Sequence, residues 1–195
     1  MEQSVILKGL RSPIGIKNGK LIGMRSDDLT AIVVKELVNK TGIDNGLYEN
    51  LVIGCAFPEG NQGMLMSRGI GILADLPISV PASVINRFCG SAMDAVHQIS
   101  SSIESNDINF GLAGGVEDMF SVPMGGFNPM FHPVLYEKEY YIGMGETAEN
   151  LANELSISRA DQEEFAIDSH RKALKAQDTG CFDDEIVEVD FNGHK

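Results

Sequence analysis

The run Leu51-Val52-Ile53-Gly54-Cys55-Ala56 is apolar without interruption, and a strand with no polar alternation has to be covered on both faces. That excludes a sheet wet on one side and asks for helices above and below. The flanking sequence supplies them. Residues 4–7 read as a short strand, ended by the turn Arg11-Ser12-Pro13-Ile14-Gly15. A helix follows, with Ser26 as its cap, Asp27 and Asp28 in its positive first turn, Leu29, Ile32, Val33 and Leu37 on one face, and Gly42 as its stop. Residues 64–73 predict a second helix, although Gly69 and Gly71 each cost about 1 kcal/mol relative to Ala. Residues 79–86 predict a strand, and Pro81, which cannot donate to a ladder, places it at a sheet edge. An apolar edge carrying Val80, Val84 and Ile85 asks for a partner, so it is a candidate dimer seam.

From Gly90 onward Ala92, Val96, Ile99 and Ile103 recur at helical spacing, with Asp94, Gln98, Ser101 and Ser102 turned outward. Residues 108–114 predict a further buried strand. Strands alternating with helices give an α/β fold: a mainly parallel mixed sheet with helices on both faces. After Glu117 the texture changes to a long loop with Pro123, Gly125, Gly126, Pro129 and Pro133 among aromatics and methionines, a length that points to function or a partner. Residues 146–155 predict a short helix. Ser158 and Asp161 form a capping-box pattern opening a longer one through Phe165, Ala166, Ala173 and Leu174 to Gly180. A last strand-like run, residues 186–191, has no following element to cover it. The expected division is 1–118 as the α/β domain and 119–195 as a loop or excursion region.

Net charge decides what the chain does not bind. Among its 195 residues 15 are Lys or Arg and 28 are Asp or Glu, a net charge of −13, whereas phosphate-backbone binding needs clustered cations. No nucleic-acid partner is expected. No stretch approaches the ~20 apolar residues of a membrane span, and no leader pattern opens the chain. Cys55, Cys89 and Cys181 have neither zinc nor disulfide-framework spacing, so reduced thiols in the cytoplasm are expected. The histidines His97, His132, His170 and His194 share no ligand spacing, and no metal is expected.

Cys89 lies where an edge strand gives way to a helix, in Asn86-Arg87-Phe88-Cys89-Gly90-Ser91. A thiol at a helix start meets the positive dipole end and unbonded amides, which favour the thiolate and could hold an oxyanion. A small buried residue fits the same context, since free cysteine is among the most buried types. Both readings stay open on the residues alone. Cys55, ending the apolar run, reads as core filler, and Cys181 as a packing residue. Gly143-Met144-Gly145-Glu146-Thr147-Ala148 matches the loose dinucleotide fingerprint, but the charged segment before it is no buried first strand. Gly114-Gly115 reads as a tight turn and Glu117 as a buried or helix-capping carboxylate. Met119, Met124, Met130 and Met144 suit a channel wall or core gaps equally.

Several of these segments together resemble the thiolase family, in the branch acting on 3-ketoacyl-CoA. They are Arg11-Ser12-Pro13-Ile14-Gly15, Val80-Pro81-Ala82, Asn86-Arg87-Phe88-Cys89-Gly90-Ser91-Ala92-Met93, Gly114-Gly115-Val116-Glu117-Asp118-Met119, Met144-Gly145-Glu146-Thr147-Ala148-Glu149-Asn150 and Ile157-Ser158-Arg159. The resemblance runs in order through nearly the whole chain. It implies acyl transfer on acyl-CoA thioesters of fatty acid metabolism, as 3-ketoacyl-CoA thiolysis or the reverse Claisen condensation. Cys89 would be the acyl-accepting nucleophile, Met144 a substrate-channel residue and coenzyme A a co-substrate, with no bound cofactor. It also implies a homodimer through the edge strand near residues 80–86, and a loop region after Met119 that covers substrate.

The family's Asn-Glu-Ala-Phe, Gly-His-Pro and Cys-x-Gly segments do not occur in this sequence. What the resemblance covers is therefore an N-terminal half. The activating His, the second Cys and one oxyanion amide would have to come from another polypeptide, and the chain alone is expected to be inactive. Against this stand a non-catalytic thiolase-like fragment or assembly module, and a condensing enzyme of the ketoacyl-synthase type, whose pattern the Gly-Gly-x-Glu-x-Met segment fits less well.

Overall fold

β1 (Asn50–Gly54) is the central strand of a three-stranded, wholly parallel sheet, in a computed structural model that describes residues 3–193. β2 (Ala82–Ile85) and β3 (Gly111–Gly115) flank it, pairing Leu51 with Ala82 and with Leu112. α1 (Ser26–Thr41) precedes β1, while α2 (Met66–Leu73) and α3 (Ser91–Glu104) form the crossovers to β2 and β3. Because side chains alternate along a strand, Leu51 and Ile53 pack with Ala31, Val34, Val38, Met66 and Ile70 of α1 and α2, while Val52 packs with Ala95 and Ile99 of α3. The two-sided burial demanded by the apolar run is met, and the α/β fold with helices on both faces is the one observed.

α3 approaches the sheet closely because the residues beneath it are small. A Cβ on Gly54 would lie 2.3 Å from the Ser91 carbonyl carbon and 2.5 Å from the Ala92 amide nitrogen. One on Gly115 would lie 2.6 Å from Ala92 Cβ, and one on Gly111 2.7 Å from Ile99. This docking also selects the buried stripe, which is Ser91, Ala95 and Ile99 rather than the expected Ala92, Val96, Ile99 and Ile103. Val96 is 40% exposed.

α1 shows a similar rotation. Its buried face is Ala31, Val34 and Val38; of the expected Leu29, Ile32, Val33 and Leu37, Leu37 packs half-buried against that core, because packing against α2 and β1 picks one of two overlapping apolar stripes. Gly42 ends the helix in the left-handed conformation, as expected, with φ +67°. Ser26 is not the cap: Arg25 holds that position, and Ser26 is the buried first helical residue. In α2 a Cβ on Gly69 would meet nothing within 4 Å. Gly69→Ala should therefore raise the stability of the first unit by about 1 kcal/mol in urea unfolding.

Two expected strands do not form as strands. Val5, Ile6 and Leu7 are 61–80% exposed and join no ladder. Both sides of β1 are already taken by β2 and β3, and Ser4 instead lies beside α3, its Oγ 2.7 Å from Ser100 Oγ and donating to Glu104 Oε1 at 3.1 Å. In residues 186–191 only a bridge of Ile186 with Arg11 is formed with described residues. Arg11 N donates to Glu185 O, Val187 N donates to Arg11 O, and the Arg11 guanidinium pairs with Glu185 at 2.6 Å. Val187 and Val189 are nonetheless buried, so this run is covered after all.

The chain divides into two compact units, one reaching Asn128 and taking in the chain again from Glu185, the other Pro129–Asp184. The second holds α4 (Pro133–Glu137), α5 (Met144–Glu154) and α6 (Arg159–Asp178). α5 starts at Met144, before the expected position, because the Glu146 carboxylate accepts from Gly143 N. α6 opens with the expected capping box, Ser158 Oγ accepting from Asp161 N and Asp161 Oδ2 from Ser158 N. No described residue of these three helices is buried, and Phe165 is 79% exposed. The apolar positions read along α6 thus lack a covering element within their unit, and the helix relies on its cap and on the pairs Arg159–Glu163 and Lys172–Asp168.

Candidate active site

Cys89 occupies the tight turn between β2 and α3, and its residue is exposed. The reading of it as a small buried residue is thereby excluded. The turn is built by its neighbours. Phe88 is held at φ +45°, a left-handed conformation that is unfavourable for a bulky residue. Asn86 Oδ1 accepts from Phe88 N at 2.9 Å, the Asx pattern that closes such turns. Gly90 N donates to Arg87 O. Ser91 locks the far side, its Oγ accepting from Arg87 N at 2.8 Å and donating to Phe88 O at 2.6 Å. Phe57 stacks against Phe88 at 6.0 Å between ring centroids.

The turn leads directly into a 14-residue helix, with Cys89 just before its N-cap Gly90. There Ser91 N donates to Phe88 O and Asp94 N to Gly90 O, while the amides of Ala92 and Met93 have no partner among the described residues. Those free donors carry the positive end of the helix dipole. The Arg87 guanidinium, next but one to Cys89, pairs with Asp94 of the same helix at 3.4 Å.

Behind the turn lies a cluster the sequence did not show as one. Gln62, wholly buried, donates through Nε2 to Phe57 O at 2.9 Å and to Glu117 Oε1 at 3.0 Å, while its Oε1 accepts from Asp118 N. Glu117 Oε2 accepts from Ala56 N at 2.6 Å, and the Cys55 thiol donates to Glu117 Oε1 at 3.6 Å. Glu117 thus caps no helix and is not itself buried; it binds the end of β1. Cys55 is 1% exposed, the core residue it was expected to be. Burial, with the Glu117 carboxylate beside it, pushes the Cys55 thiol up to about 12.

The other candidates differ in exposure and setting. Cys181 is exposed, not a packing residue, with Thr179 Oγ1 3.3 Å away; its turn ends a helix that buries nothing. Met144 is the first residue of α5, 67% exposed, and belongs to the second unit, whereas Cys89 belongs to the first. The segment before Gly143 is helix and turn, not strand, so the dinucleotide fingerprint lacks its context. His97 and His170 are exposed on α3 and α6, His132 precedes α4, and His194 lies outside the described residues. No group of three or more His, Cys, Asp or Glu that could hold a metal ion occurs among the described residues, and no described helix is long and apolar enough to cross a membrane. A cavity of about 690 Å³ opens between residues 10–24, α1 and the turn after β3, with Ile14, Leu29, Val33 and Phe120 on its walls; Cys89 is not among them.

The signal that could have found Asn86 in the sequence is its place two residues before the turn's Phe88. Glu117 stood out as a carboxylate after a buried strand, but its meeting with Gln62 left no trace, since the two are 55 positions apart.

Residues 4–195 match the family model described as the N-terminal domain of thiolase. The chain is 44% identical over 193 residues to a 3-ketoacyl-CoA thiolase of Bacillus subtilis, covering 97% of this chain and 49% of that protein. It is 36% identical over 214 residues to a beta-ketoadipyl-CoA thiolase of Escherichia coli, covering 100% of this chain and 53% of that protein. The chain spans about half the length of the curated relatives it matches. With a doubly covered parallel sheet, a cysteine turn between β2 and α3, and a domain match over residues 4–195, the chain belongs to the thiolase family, of which it carries the N-terminal domain.

Proposed function

We propose that the chain performs acyl transfer on acyl-CoA thioesters, as 3-ketoacyl-CoA thiolysis or the reverse condensation, with Cys89 as the acyl-accepting nucleophile. The observation that supports this reading is an exposed thiol in the turn that leads into α3, whose Ala92 and Met93 amides have no partner among the described residues. Cys89 Sγ attacks the 3-keto carbon, the bond from that carbon to C2 breaks, and C2 takes a proton as acetyl-CoA leaves. Coenzyme A then takes the acyl group from Cys89. Met144 contributes to the substrate channel, and residues around 119–141 belong to the loop region that covers it.

The Gly-His-Pro and Cys-x-Gly segments that carry the family's activating His and its second Cys do not occur in this sequence. A second polypeptide carrying the Gly-His-Pro and Cys-x-Gly segments would supply them. Losing a general base alone costs about 10²–10⁴-fold, so the chain by itself is expected to turn over close to background. Two copies would pair through β2, which has β1 on one side and no strand on the other among the described residues, as an apolar edge requires. A soluble cytoplasmic enzyme accords with reduced, unpaired thiols.

The test is thiolysis of acetoacetyl-CoA by coenzyme A, followed at the enolate absorbance, with this chain alone, a C-terminal thiolase half alone, and the two mixed. Turnover only in the mixture, abolished by Cys89→Ala, is the expected result. Equal turnover by Cys89→Ala would remove the nucleophile from this reading.

A further inference from the structure

We propose that Glu117 and Asn86 are positioning residues that hold the Cys89 turn through a relay of three hydrogen bonds. This rests on the reading of Cys89 as the nucleophile. Glu117 Oε2 accepts from Ala56 N at 2.6 Å, Ala56 O accepts from Asn86 Nδ2 at 2.8 Å, and Asn86 Oδ1 accepts from Phe88 N at 2.9 Å. The relay begins after β3, crosses the end of β1 and finishes in the turn after β2. It joins the ends of all three strands.

The backbone ladders stop short of this point. The last bonds between strands are Cys55 N to Ile85 O and Val116 N to Gly54 O, each 3.0 Å. Beyond them, side chains set where the three chain ends lie. Phe88 is held in the left-handed region by the Asn86 bond to its amide together with the Ser91 bonds to its carbonyl, so losing the Asn86 bond loosens the turn that carries Cys89, the next residue. Asn86 supplies that hold on the amide, and its side-chain amide group donates in turn to Ala56 O. Ala56, an exchangeable loop residue, is fixed in turn by Glu117. The carboxylate is a charged acceptor, which strengthens its bond and polarises the next one, and buried Gln62 keeps it aimed. Removing either end should therefore have the same effect on Cys89.

The experiment is iodoacetamide alkylation of the intact chain, read by peptide mass spectrometry as the ratio of Cys89 to Cys181 rates. The variants are Glu117→Ala, Glu117→Gln, Asn86→Ala, Asn86→Asp and the double Glu117→Ala/Asn86→Ala. Each alanine variant should change the ratio about fivefold or more, and the double should change it no further than one alone, as coupled sites do. Glu117→Gln, which keeps an acceptor for Ala56 N, should restore most of the ratio. Asn86→Asp, which keeps the acceptor for Phe88 N and loses the donor to Ala56 O, should behave like Glu117→Ala. Additive effects in the double variant, or a wild-type ratio in Asn86→Asp, overturn the relay. A change shared equally by both cysteines also overturns it, since general loosening would do that. Thiolysis by the mixture with a C-terminal thiolase half that Cys89→Ala leaves unchanged overturns the nucleophile reading instead, and leaves the relay measured.

Discussion

Gly54→Ala is expected to destabilise the first unit by at least about 3 kcal/mol, lowering its melting temperature by roughly 6–12 °C for a chain of this size. The added Cβ would stand 2.3 Å from Ser91 C, 2.5 Å from Ala92 N and 2.6 Å from Ser91 O. All three are backbone atoms, and none can swing aside as a flexible side chain would. Relief requires α3 to lift from the sheet, which opens the contact of Ala95 and Ile99 with Val52 and moves the first turn that carries Cys89. The loss should therefore show twice, in a thermal melt and in the alkylation rate of Cys89. Gly69→Ala, with open space around its Cβ, is the matched control. An unchanged melt for Gly54→Ala would mean that α3 does not sit against β1 as described.

The second large effect separates the cysteines. At pH 8 an ordinary thiol is about one-quarter thiolate, whereas one titrating at about 12 is about 10⁻⁴ thiolate. Cys55 should thus alkylate roughly a thousandfold more slowly than an ordinary thiol on that ground alone, and burial slows it further. Exposed Cys89 and Cys181 should take iodoacetamide in the native protein, and Cys55 only on unfolding. The same displacement links to stability. The folded state holds the Cys55 proton more tightly than the unfolded chain, so its contribution is present in full below pH 9 and is lost as the pH rises towards 12. Between pH 8 and pH 10.5 wild type should lose about 2 kcal/mol more stability than Cys55→Ala in urea unfolding. Equal losses would show that Cys55 titrates normally.

How far the residues themselves disclosed the site depends on the range of each interaction. The apolar run at 51–56 announced a strand covered on both faces, and Pro81 announced an edge, because periodicity and proline chemistry act within a few residues. The junction at Cys89 was visible for the same reason. The faces of α1 and α3 were misassigned by about one residue, since each helix carries two overlapping apolar stripes and the choice belongs to the partner that docks. In α3 that partner is the row Gly54, Gly111 and Gly115, whose meaning appears only when β1 and β3 lie side by side. Residues 4–7 have strand composition but no free side of β1 to pair with.

By itself the sequence determined the alternation of β1 to β3 with α1 to α3, the parallel layered architecture, the family and the place of Cys89 between a strand and a helix, all of which follow from local patterns of hydrophobicity, turn chemistry and motif. Only the tertiary structure decided which thiol is exposed, which helix faces are buried, and that Glu117, Gln62, Ala56 and Asn86 meet behind Cys89. The reason is that a hydrogen bond between residues some thirty to sixty positions apart leaves no periodic trace along the chain. It exists because a parallel sheet brings the same ends of its strands to one edge.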